Sequence, residues 1–391
     1  MRVLHVTPYF APAFVYGGPP RSILGLCRSL QAAGVDVEVV TTVANGASDL
    51  PASPPTGSWF DGIPVYYAAR AFPRRFFGAE IRPAIERALA RADVCHIHGL
   101  WNMPAWQASR MARQAGVPVV ISPRGMLQPA ALAHRALRKR IAFPLLDRRH
   151  LETAACLHAT TEDEAATLRH FFPTSRVVVL PNGVDGAPRG DVGSTPRSIR
   201  ERFNIPRDTS VVLFLGRLHP IKRIDLLAGA VKTLRLGGRS VTLVLAGPNE
   251  ADHLSTLSPI VQPLAESVRY VGEVDEPSKW DLLRESAALV LCSDSENFGV
   301  SVAEALAAAR PVVVTKTCPW RDVETHGCGF WVDQTSEAIA TAIEALLSNP
   351  EEAAAMGRRG ACLAARRYSW PAIGRAMADC YQSILDGRVG Q

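Results

Sequence analysis

The sequence predicts an α/β protein with two doubly wound parallel sheets, and three observations support this fold class. The chain has 391 residues, too many for one core and suited to two domains of ordinary size. Short β-rich runs alternate with helical stretches in both halves, which is typical of parallel sheets covered on both faces. Between Pro181 and Thr209 glycine and proline interrupt this alternation, and we place the domain boundary there.

The first domain is predicted to span residues 1–188. Its strand-like runs are Val3–Val6, Val35–Thr41, Val94–Ile97, Pro118–Ser122, Ala155–Thr160 and Val177–Leu180. Between the first two runs, Arg21–Ala33 places its apolar residues on one helical face and ends at Gly34, where a left-handed cap is expected. This helix should therefore pack on the sheet.

A linker at 189–208 and a second domain at 209–365 are predicted next. The strand-like runs of this domain are Val211–Leu215, Val241–Ala246, Val268–Val271, Ala287–Cys292, Pro311–Thr315 and Phe330–Val332. Helical candidates such as Ile224–Leu236 and Pro277–Glu285 separate them. The tail Ser336–Leu385 is helical in pattern and has no β-rich run.

Composition indicates a globular, cytoplasmic protein. Apolar residues make up 47% of the chain and charged residues 20%, an ordinary balance for a folded domain. The eight cysteines contain no C-x-x-C pair, which argues against a disulfide framework or a zinc ribbon. Met1 leads directly into a strand-like run, and no apolar run approaches the roughly 18 residues of a spanning helix. Neither a signal peptide nor a membrane anchor is expected.

The excess positive charge is concentrated in the segment 134–150. The chain carries a net charge of +6. Basic residues of this segment are Arg135, Arg138, Lys139, Arg140, Arg148 and Arg149. Interleaved with apolar side chains, they could lie on the cytoplasmic face of an anionic membrane or hold an anionic acceptor, and a solvated helix face is an equal alternative. Nucleic acid is disfavoured because no stripe of aromatic residues accompanies the charge.

The most informative window begins where the strand-like run Ala287–Cys292 ends. A polar turn and an alanine-rich helix follow, with Glu296 and Glu304 on either side of the helix start. Ligands of parallel sheets bind beyond the carboxyl ends of the strands, and two such domains facing each other form one cleft. The helix start and Gly299 favour a diphosphate. A carboxylate accepts hydrogen bonds from hydroxyl groups. Glu304 would therefore suit a ribose on one side of the diphosphate, and Glu296 a sugar ring on the other side.

Two glutamates eight residues apart are ordinarily a helix-terminal acid and a solvated side chain, so this spacing alone is weak. A second cluster strengthens the interpretation. Arg217 and Lys222 also follow a strand and precede a helix, where they could neutralise a leaving diphosphate without a metal. The chain contains no Asp-x-Asp, which weakens the metal-dependent alternative. Plain surface charge is the remaining interpretation of the two cations.

These two windows resemble the family 4 glycosyltransferases of the GT-B fold, whose hallmark E-x7-E is Glu296 to Glu304 here. The resemblance extends over most of the chain. Further matching segments are the glycine-rich loop Tyr16–Arg21, the acceptor-domain segments Val94–Trp101 and Ser122–Leu127 of the bacterial polysaccharide branch, and Leu180–Asp185 before the linker.

The resemblance implies a set of site residues. Donor-binding positions are Gly17, Gly18, Arg217, Lys222, Glu296, Asn297, Phe298, Gly299, Val300 and Glu304. Catalytic positions are Glu296, His98, Arg217 and Lys222, and the acceptor side includes His98 and Arg124. His98, with His96, could instead be a hydrogen-bonded strand end, and a zinc pair lacks an evident third ligand. By the same resemblance, residues 366–391 form a helix that packs back on the first domain.

Three positions depart from the family pattern. Asn297 replaces a frequent glycine, Arg223 stands where glycine often follows the lysine, and Arg310 precedes Pro311 where glycine is common. None of these changes removes a charged anchor. Asn297 adds hydrogen-bonding groups beside the predicted sugar position, so it is the residue most closely connected with the identity of the sugar.

The predicted function is sugar transfer with retention of anomeric configuration, from a nucleotide diphosphate sugar (UDP or GDP) to a glycan or lipid-linked alcohol in bacterial surface polysaccharide synthesis. The resemblance implies that the leaving phosphate accepts the acceptor's proton, with no cofactor and no metal. Two rivals are a nucleotide-sugar epimerase of the same architecture and a non-catalytic glycan-binding module. A dinucleotide oxidoreductase is disfavoured because no G-x-G-x-x-G follows the first strand.

Overall fold

The computed structural model describes residues 1–50, 58–71, 76, 78–133, 143, 147–186 and 198–387. They form two compact units, one of Met1–Gly183 with Trp370–Gln391 and one of Val184–Ser369. Most of the basic segment 134–150 and much of the predicted linker lie outside the described residues. No helix of the described part of the chain is both long enough and apolar enough to cross a membrane.

Strands are numbered in chain order. Those of the first unit are β1 (Arg2–Val6), β2 (Asp36–Thr42), β3 (Ala44–Asn45), β4 (Ser48–Asp49), β5 (Ser58–Phe60), β6 (Ile63–Ala68), β7 (Val94–His98), β8 (Val119–Ser122), β9 (Cys156–Ala159) and β10 (Val177–Val179). Those of the second are β11 (Ser210–Leu215), β12 (Val241–Ala246), β13 (Val268–Gly272), β14 (Ala288–Leu291), β15 (Val312–Thr315) and β16 (Gly329–Val332).

The α-helices are numbered in the same way. The first unit contains α1 (Gly18–Ala32), α2 (Ile81–Leu89), α3 (Met103–Gln114), α4 (Pro129–Ala133), α5 (Arg148–Glu152) and α6 (Glu162–Phe171). It also contains the last helix of the chain, α15 (Trp370–Leu385). The remaining helices are α7 (Ile199–Arg202), α8 (Ile224–Leu236), α9 (His253–Val261), α10 (Glu276–Glu285), α11 (Val300–Ala307), α12 (Asp322–Thr325), α13 (Ser336–Ser348) and α14 (Pro350–Leu363).

The first unit contains an eight-stranded sheet in the order β10-β9-β8-β7-β1-β2-β6-β5. Its strands are parallel except for the edge strand β5, which pairs with β6 in the antiparallel sense. Successive residues of β1 point to opposite faces, and Val3 and Leu4 accordingly belong to different apolar cores. Helices cover both faces, as the sequence predicts.

The last helix, α15, packs against α1 within the first unit. A Cβ atom on Gly374 of α15 would lie 2.5 Å from the backbone oxygen of Ser29 in α1. The indole of Trp370 fills the space beside Gly25 and Gly183, where a Cβ would come within 2.1 Å and 2.4 Å of ring atoms. Gly25 and Gly374 are therefore required by the close approach of the two helices, and Gly183 is required by the space that the Trp370 indole fills.

The second unit contains a six-stranded parallel sheet in the order β13-β12-β11-β14-β15-β16. Ile199 and Ile205 fall within the predicted linker, yet both side chains are buried in the core of this unit. Because apolar burial fixes them there, the described residues 198–208 are part of the second unit and the predicted linker is too long. The units divide after Gly183 and again after Ser369, rather than at 188 and 365.

Candidate functional site

The two sequence windows of the second unit meet at the carboxyl edge of its sheet. β11 and β14 are paired neighbours, so the loops that follow them lie side by side. The backbone N–H of Asp294 donates to the oxygen of Ile221 at 2.8 Å, which joins the loops directly. The hydroxyl of Thr317, after β15, donates to the oxygen of Ser293 at 2.6 Å. Strand order therefore brings together residues that lie more than 70 positions apart.

Lys222 and Glu296 form an ion pair in this site. The Nζ atom of Lys222 lies 2.5 Å from Oε1 of Glu296, and the side chains are only 16% and 11% exposed. The hydroxyl of Ser293 donates to the same carboxylate oxygen at 2.7 Å. Because two donors hold it, the carboxylate of Glu296 is oriented before any ligand arrives. The sequence assigned Lys222 and Glu296 separate roles, whereas the structure places them in contact.

Helix α11 begins directly beside this pair. Gly299 precedes it with φ 82°, a left-handed conformation, and the helix has no side-chain cap and no acid in its first turn. A Cβ on Gly299 would lie 2.9 Å from Leu291 and 3.0 Å from the indole nitrogen of Trp320. Glycine is thus required both by conformation and by space. The uncapped, positively polarised helix start is suited to an anionic oxygen.

Phe298 is placed differently from a ligand-binding side chain. It is 5% exposed and belongs to the core of the second unit, where its ring packs against Trp320 and Tyr368. The indole N–H of Trp320 donates to the backbone oxygen of Phe298. The apolar ring is buried because the neighbouring aromatic side chains exclude water. Its contribution to the loop is therefore structural.

Glu304, one turn into α11, also contacts a lysine. Nζ of Lys279 in α10 lies 2.7 Å from the carboxylate of Glu304 and 2.7 Å from that of Glu276. Lys279 and Glu304 are 14% and 16% exposed at their side chains. Burial lowers the pKa of Lys279, but the charges and hydrogen bonds of Glu304 and Glu276 outweigh it and raise that pKa above its ordinary value. Lys279 is accordingly charged and holds Glu304 in place.

Arg217 lies at the exposed margin of the site. It forms an ion pair with Glu250, with side chains 44% and 41% exposed. The sequence predicts that Arg217 and Lys222 act together, but in the structure each is bound to a different carboxylate.

Asn297 carries an unpaired hydrogen-bond acceptor. Its Oδ1 atom is buried without a hydrogen-bond partner among the described residues. A buried acceptor of this kind is stabilised by any group that donates to it.

In the first unit, His98 ends β7 on the face covered by α1 and α15. It is 1% exposed, and its Nε2 atom lies 2.9 Å from Nδ1 of His5. Its Nδ1 atom is 3.2 Å from Nη2 of Arg124. Since a guanidinium only donates, Nδ1 of His98 accepts, and the proton of this neutral ring is on Nε2, pointing at His5. Both ring nitrogens are therefore engaged within the protein.

A second chain of hydrogen bonds fixes the other buried histidines. His158 Nε2 donates to the oxygen of Leu180 at 2.8 Å, so its Nδ1 accepts from Ser122 at 2.6 Å. Ser122 then accepts from Nε2 of His96 at 2.6 Å, and His96 Nδ1 accepts from the hydroxyl of Tyr381 at 2.6 Å. Burial lowers the pKa of each of these rings, so they are neutral at pH 7.

His5, His96 and His98 form a group whose ring nitrogens lie within 4.8 Å of one another. The sequence shows no third ligand at a useful spacing from His96 and His98, but the pairing of β1 with β7 places His5 opposite His96. Every ring nitrogen of the three except Nε2 of His5 already takes part in a hydrogen bond. The adjacent guanidinium of Arg124 also repels a cation. These contacts favour a hydrogen-bonded cluster over a metal centre.

Gly17 and Gly18 lie where the chain enters α1. Gly17 has φ 79° and ψ −130°, and its N–H donates to the oxygen of Phe14 at 2.9 Å. Helix α1 begins at Gly18 with no side-chain cap and no acid in its first turn. Ser22, one turn further, accepts from Arg124 at 2.9 Å. The structure therefore groups the glycine-rich loop with His98 and Arg124 at one edge of the first sheet.

Sequence reasoning missed Lys279 and His5. Lys279 follows β13, and the rule that sites lie beyond the carboxyl ends of strands would have directed attention to the start of α10. His5 carries no comparable signal, because the order of strands in the sheet decides which residues adjoin it.

A cavity of 620 Å³ lies beside the site of the second unit and is lined by Ile221, Arg223 and Asp294 among others. Neither Lys222 nor Glu304 lines it.

Comparison with known proteins identifies similar families and relatives. A family model described as "Glycosyl transferase 4-like domain" matches residues 17–183, and one described as "Glycosyl transferases group 1" matches residues 196–361. A D-inositol 3-phosphate glycosyltransferase of Kineococcus radiotolerans is 28% identical, with 99% of this chain and 95% of that protein covered. D-inositol 3-phosphate glycosyltransferase 2 of Catenulispora acidiphila is 29% identical, with the same coverage.

Solved structures show the same fold. Anabaena HepE in complex with UDP and glucose superposes with a TM-score of 0.74 at 19% identity, covering 98% of this chain and 100% of that one. Sucrose-phosphate synthase from Thermosynechococcus elongatus gives a TM-score of 0.76 at 19% identity, covering 99% and 100%. The two family matches together cover most of the chain, and both sheets have the predicted doubly wound topology. The chain therefore belongs to the family 4-like glycosyltransferases of the GT-B type.

Proposed function

We propose that this protein transfers a sugar from a nucleotide diphosphate sugar to an acceptor hydroxyl, with the donor bound by the second unit. The observation that carries the proposal is that both glutamates of the E-x7-E pair are held by lysines around the start of α11. Glu296 is held by Lys222 and Glu304 by Lys279. A structural role would need neither the half-buried cations nor the uncapped helix start between them.

In this proposal, the start of α11 and Lys222 bind the diphosphate, and Arg217 adds charge from the margin. Glu304 binds the ribose hydroxyls, for which a carboxylate is a suitable acceptor. Glu296 and Asn297 contact the donor sugar. The buried, unpartnered Oδ1 of Asn297 supports its role in selecting that sugar.

We propose that transfer retains the anomeric configuration and needs no metal. The bond between the anomeric carbon and the phosphate oxygen breaks, a bond to the acceptor oxygen forms on the same face, and the departing phosphate takes the acceptor's proton. The contacts support this scheme because the ring nitrogens of His98 are engaged and Glu296 is held by Lys222 and Ser293. Lys222 and Arg217 supply the positive charge that the leaving group requires.

For the acceptor, a glycan or lipid-linked alcohol of surface polysaccharide synthesis remains our proposal, used at the cytoplasmic face of a membrane. The curated relatives carry names for D-inositol 3-phosphate, which favour a soluble polyol phosphate as a second candidate. Both candidate acceptors present a hydroxyl group as the nucleophile. A lipid-linked sugar carries phosphate, as a polyol phosphate does, so the two candidates share this group.

The test combines donor screening with product analysis. UDP-, GDP- and ADP-sugars are first screened by thermal shift, because a donor that binds only the folded state raises the melting temperature. The best donor is then incubated with both acceptor classes, with and without EDTA, and the anomeric configuration of the product is read by NMR. We expect a retained glycoside in both conditions. Isomerised donor without glycoside would establish the epimerase instead.

Variants locate the chemistry. Lys222→Gln should lower kcat/KM by about a hundredfold, since it removes a cation beside the leaving group. Arg235→Gln changes an exposed arginine of α8 and serves as the matched control, with unchanged kinetics. Equal activity of both variants would contradict the proposed site.

A further inference from the structure

Arg124 occupies a meeting point of four segments in the first unit. It follows β8 in a left-handed conformation, with φ 54°. Its Nη1 atom donates to Oγ of Ser22 at 2.9 Å and to Oδ1 of Asn182 at 3.4 Å. Its Nε and Nη2 atoms donate to Nδ1 of His98 at 3.4 Å and 3.2 Å. The loop after β8, the end of β7, the first turns of α1 and the segment after β10 thus converge on one guanidinium.

All of these hydrogen-bond partners are neutral. Glu164, the acid whose charge acts most strongly on Arg124, already accepts from the N–H of Gly125 at 2.5 Å and from the N–H and hydroxyl of Thr160 at 2.8 Å and 2.9 Å. Among the described residues Arg124 forms no ion pair. Burial lowers the pKa of Arg124 to about 10, so the group stays charged at neutral pH. A half-buried cation without a paired anion is an expensive arrangement to keep.

The surroundings add donors and positive potential. The contacts of Arg124 use four of the five N–H groups of a guanidinium, and one N–H of Nη2 remains. Asn182 accepts through Oδ1, which leaves its Nδ2 amide as a further donor. Helix α1 starts at Gly18 with no acid in its first turn. The histidine cluster next to Arg124 is neutral and contributes no counterion.

We infer that Arg124 and Asn182 form the binding site for a phosphate group of the acceptor. The identification of the ligand as the acceptor rests on the proposed function, whereas the anion site rests on the contacts of Arg124 alone. A phosphate fits because its terminal oxygens can accept hydrogen bonds from the remaining N–H of the guanidinium and from the Asn182 amide. The site would hold the acceptor by its anionic end and leave its hydroxyl free to react.

Inorganic phosphate is the first probe, titrated calorimetrically with the donor site filled by the nucleoside diphosphate that gives the largest thermal shift. Arg124→Gln should weaken phosphate binding by about ten- to a hundredfold, because a charge-assisted hydrogen-bonding group is lost. Arg113→Gln, an exposed arginine of α3, is the matched control and should bind phosphate like the wild type. Equal phosphate affinity in the wild type, Arg124→Gln and Arg113→Gln would overturn the inference.

A second variant protects the test against a folding defect. Asn182→Asp supplies an internal carboxylate beside Arg124 and preserves the shape of the side chain, so the melting temperature should be maintained or raised. We expect it to weaken phosphate binding at least as strongly as Arg124→Gln, since the counterion is now part of the chain. A variant that folds and binds phosphate like the wild type would refute the site.

Kinetics then distinguish the sources of phosphate and separate the two proposals. A soluble inositol phosphate and vesicles carrying a lipid-linked sugar phosphate are compared as acceptors for the wild type and Arg124→Gln. For whichever of the two acceptors the protein uses, we expect Arg124→Gln to raise the KM for that acceptor with little change in kcat. A KM for both acceptors that Arg124→Gln leaves unchanged would contradict the inference. Phosphate binding that depends on Arg124 without sugar transfer to any acceptor would instead refute only the proposed function.

Discussion

Lys279 provides the sharpest test of the donor site. It holds Glu304 in place, and this contact is known only from the structure. The perturbation is a double-mutant cycle of Lys279→Met, Glu304→Gln and both together. The two charged groups lie 2.7 Å apart with side chains 14% and 16% exposed. Exposed pairs contribute about 0–1 kcal/mol, and breaking fully buried ones costs about 3–5 kcal/mol. We expect a coupling energy of about 2 kcal/mol, between these limits.

The matched control is the pair Lys316 and Asp333 in the same unit. Its atoms are 2.8 Å apart, almost the same distance, but the side chains are 48% and 73% exposed. Solvent screening should therefore reduce the coupling of Lys316→Met with Asp333→Asn to under about 0.5 kcal/mol. Both cycles are measured by calorimetric unfolding, and protection by the bound nucleotide identifies the transition of the second unit. Equal coupling in the two cycles would refute the role assigned to Lys279.

Binding and pH give the same pair two further readouts. Lys279→Met should weaken nucleotide binding by about tenfold, since the carboxylate of Glu304 loses its orientation. The folded-state pKa of Lys279 is raised above 10.5, so the pair's stabilisation is complete below pH 10.5 and is lost as the pH rises through the folded-state value. Nucleotide affinity unchanged by Lys279→Met would show that Glu304 needs no orienting cation.

The remaining predictions concern the first unit. Burial raises the pKa of Asp147 to about 6 from 3.8, so its ionised form destabilises the fold by about 2–3 kcal/mol above pH 6, and stability from this group rises as the pH falls through 6. Asp147→Asn should raise the melting temperature at pH 7.5 and flatten its change between pH 5 and 7, whereas the exposed Asp208→Asn should change neither. Gly374→Ala should destabilise by about 2–3 kcal/mol in denaturant titrations, because its Cβ would lie 2.5 Å from the backbone oxygen of Ser29. Gly186→Ala, where no atom lies within 4 Å, should change stability by under about 0.5 kcal/mol, and an equal loss in both variants would contradict the packing of α15 on α1.

Much of the fold could be predicted because local patterns follow from burial. Nearly continuous apolar runs such as Val241–Ala246, interrupted only by Thr242, predict central strands, and the run agrees with β12 residue for residue. The antiparallel edge strand β5 was missed, since Ser58–Phe60 is short and partly exposed. The start of the second unit was placed too late because Ile199 and Ile205 are isolated apolar residues, and burial of single residues depends on tertiary contacts.

The sequence by itself determined the two doubly wound sheets, the loops that follow β11 and β14, and the resemblance carried by Glu296 and Glu304. These features depend on periodicity, turn residues and spacing along the chain. Only the tertiary structure decided which charges meet. Lys222 contacts Glu296 across 74 positions because β11 and β14 are neighbours, and Lys279 reaches Glu304 from α10. The physical reason is that an ion pair depends on strand order and helix packing, which bring together residues that local sequence cannot relate.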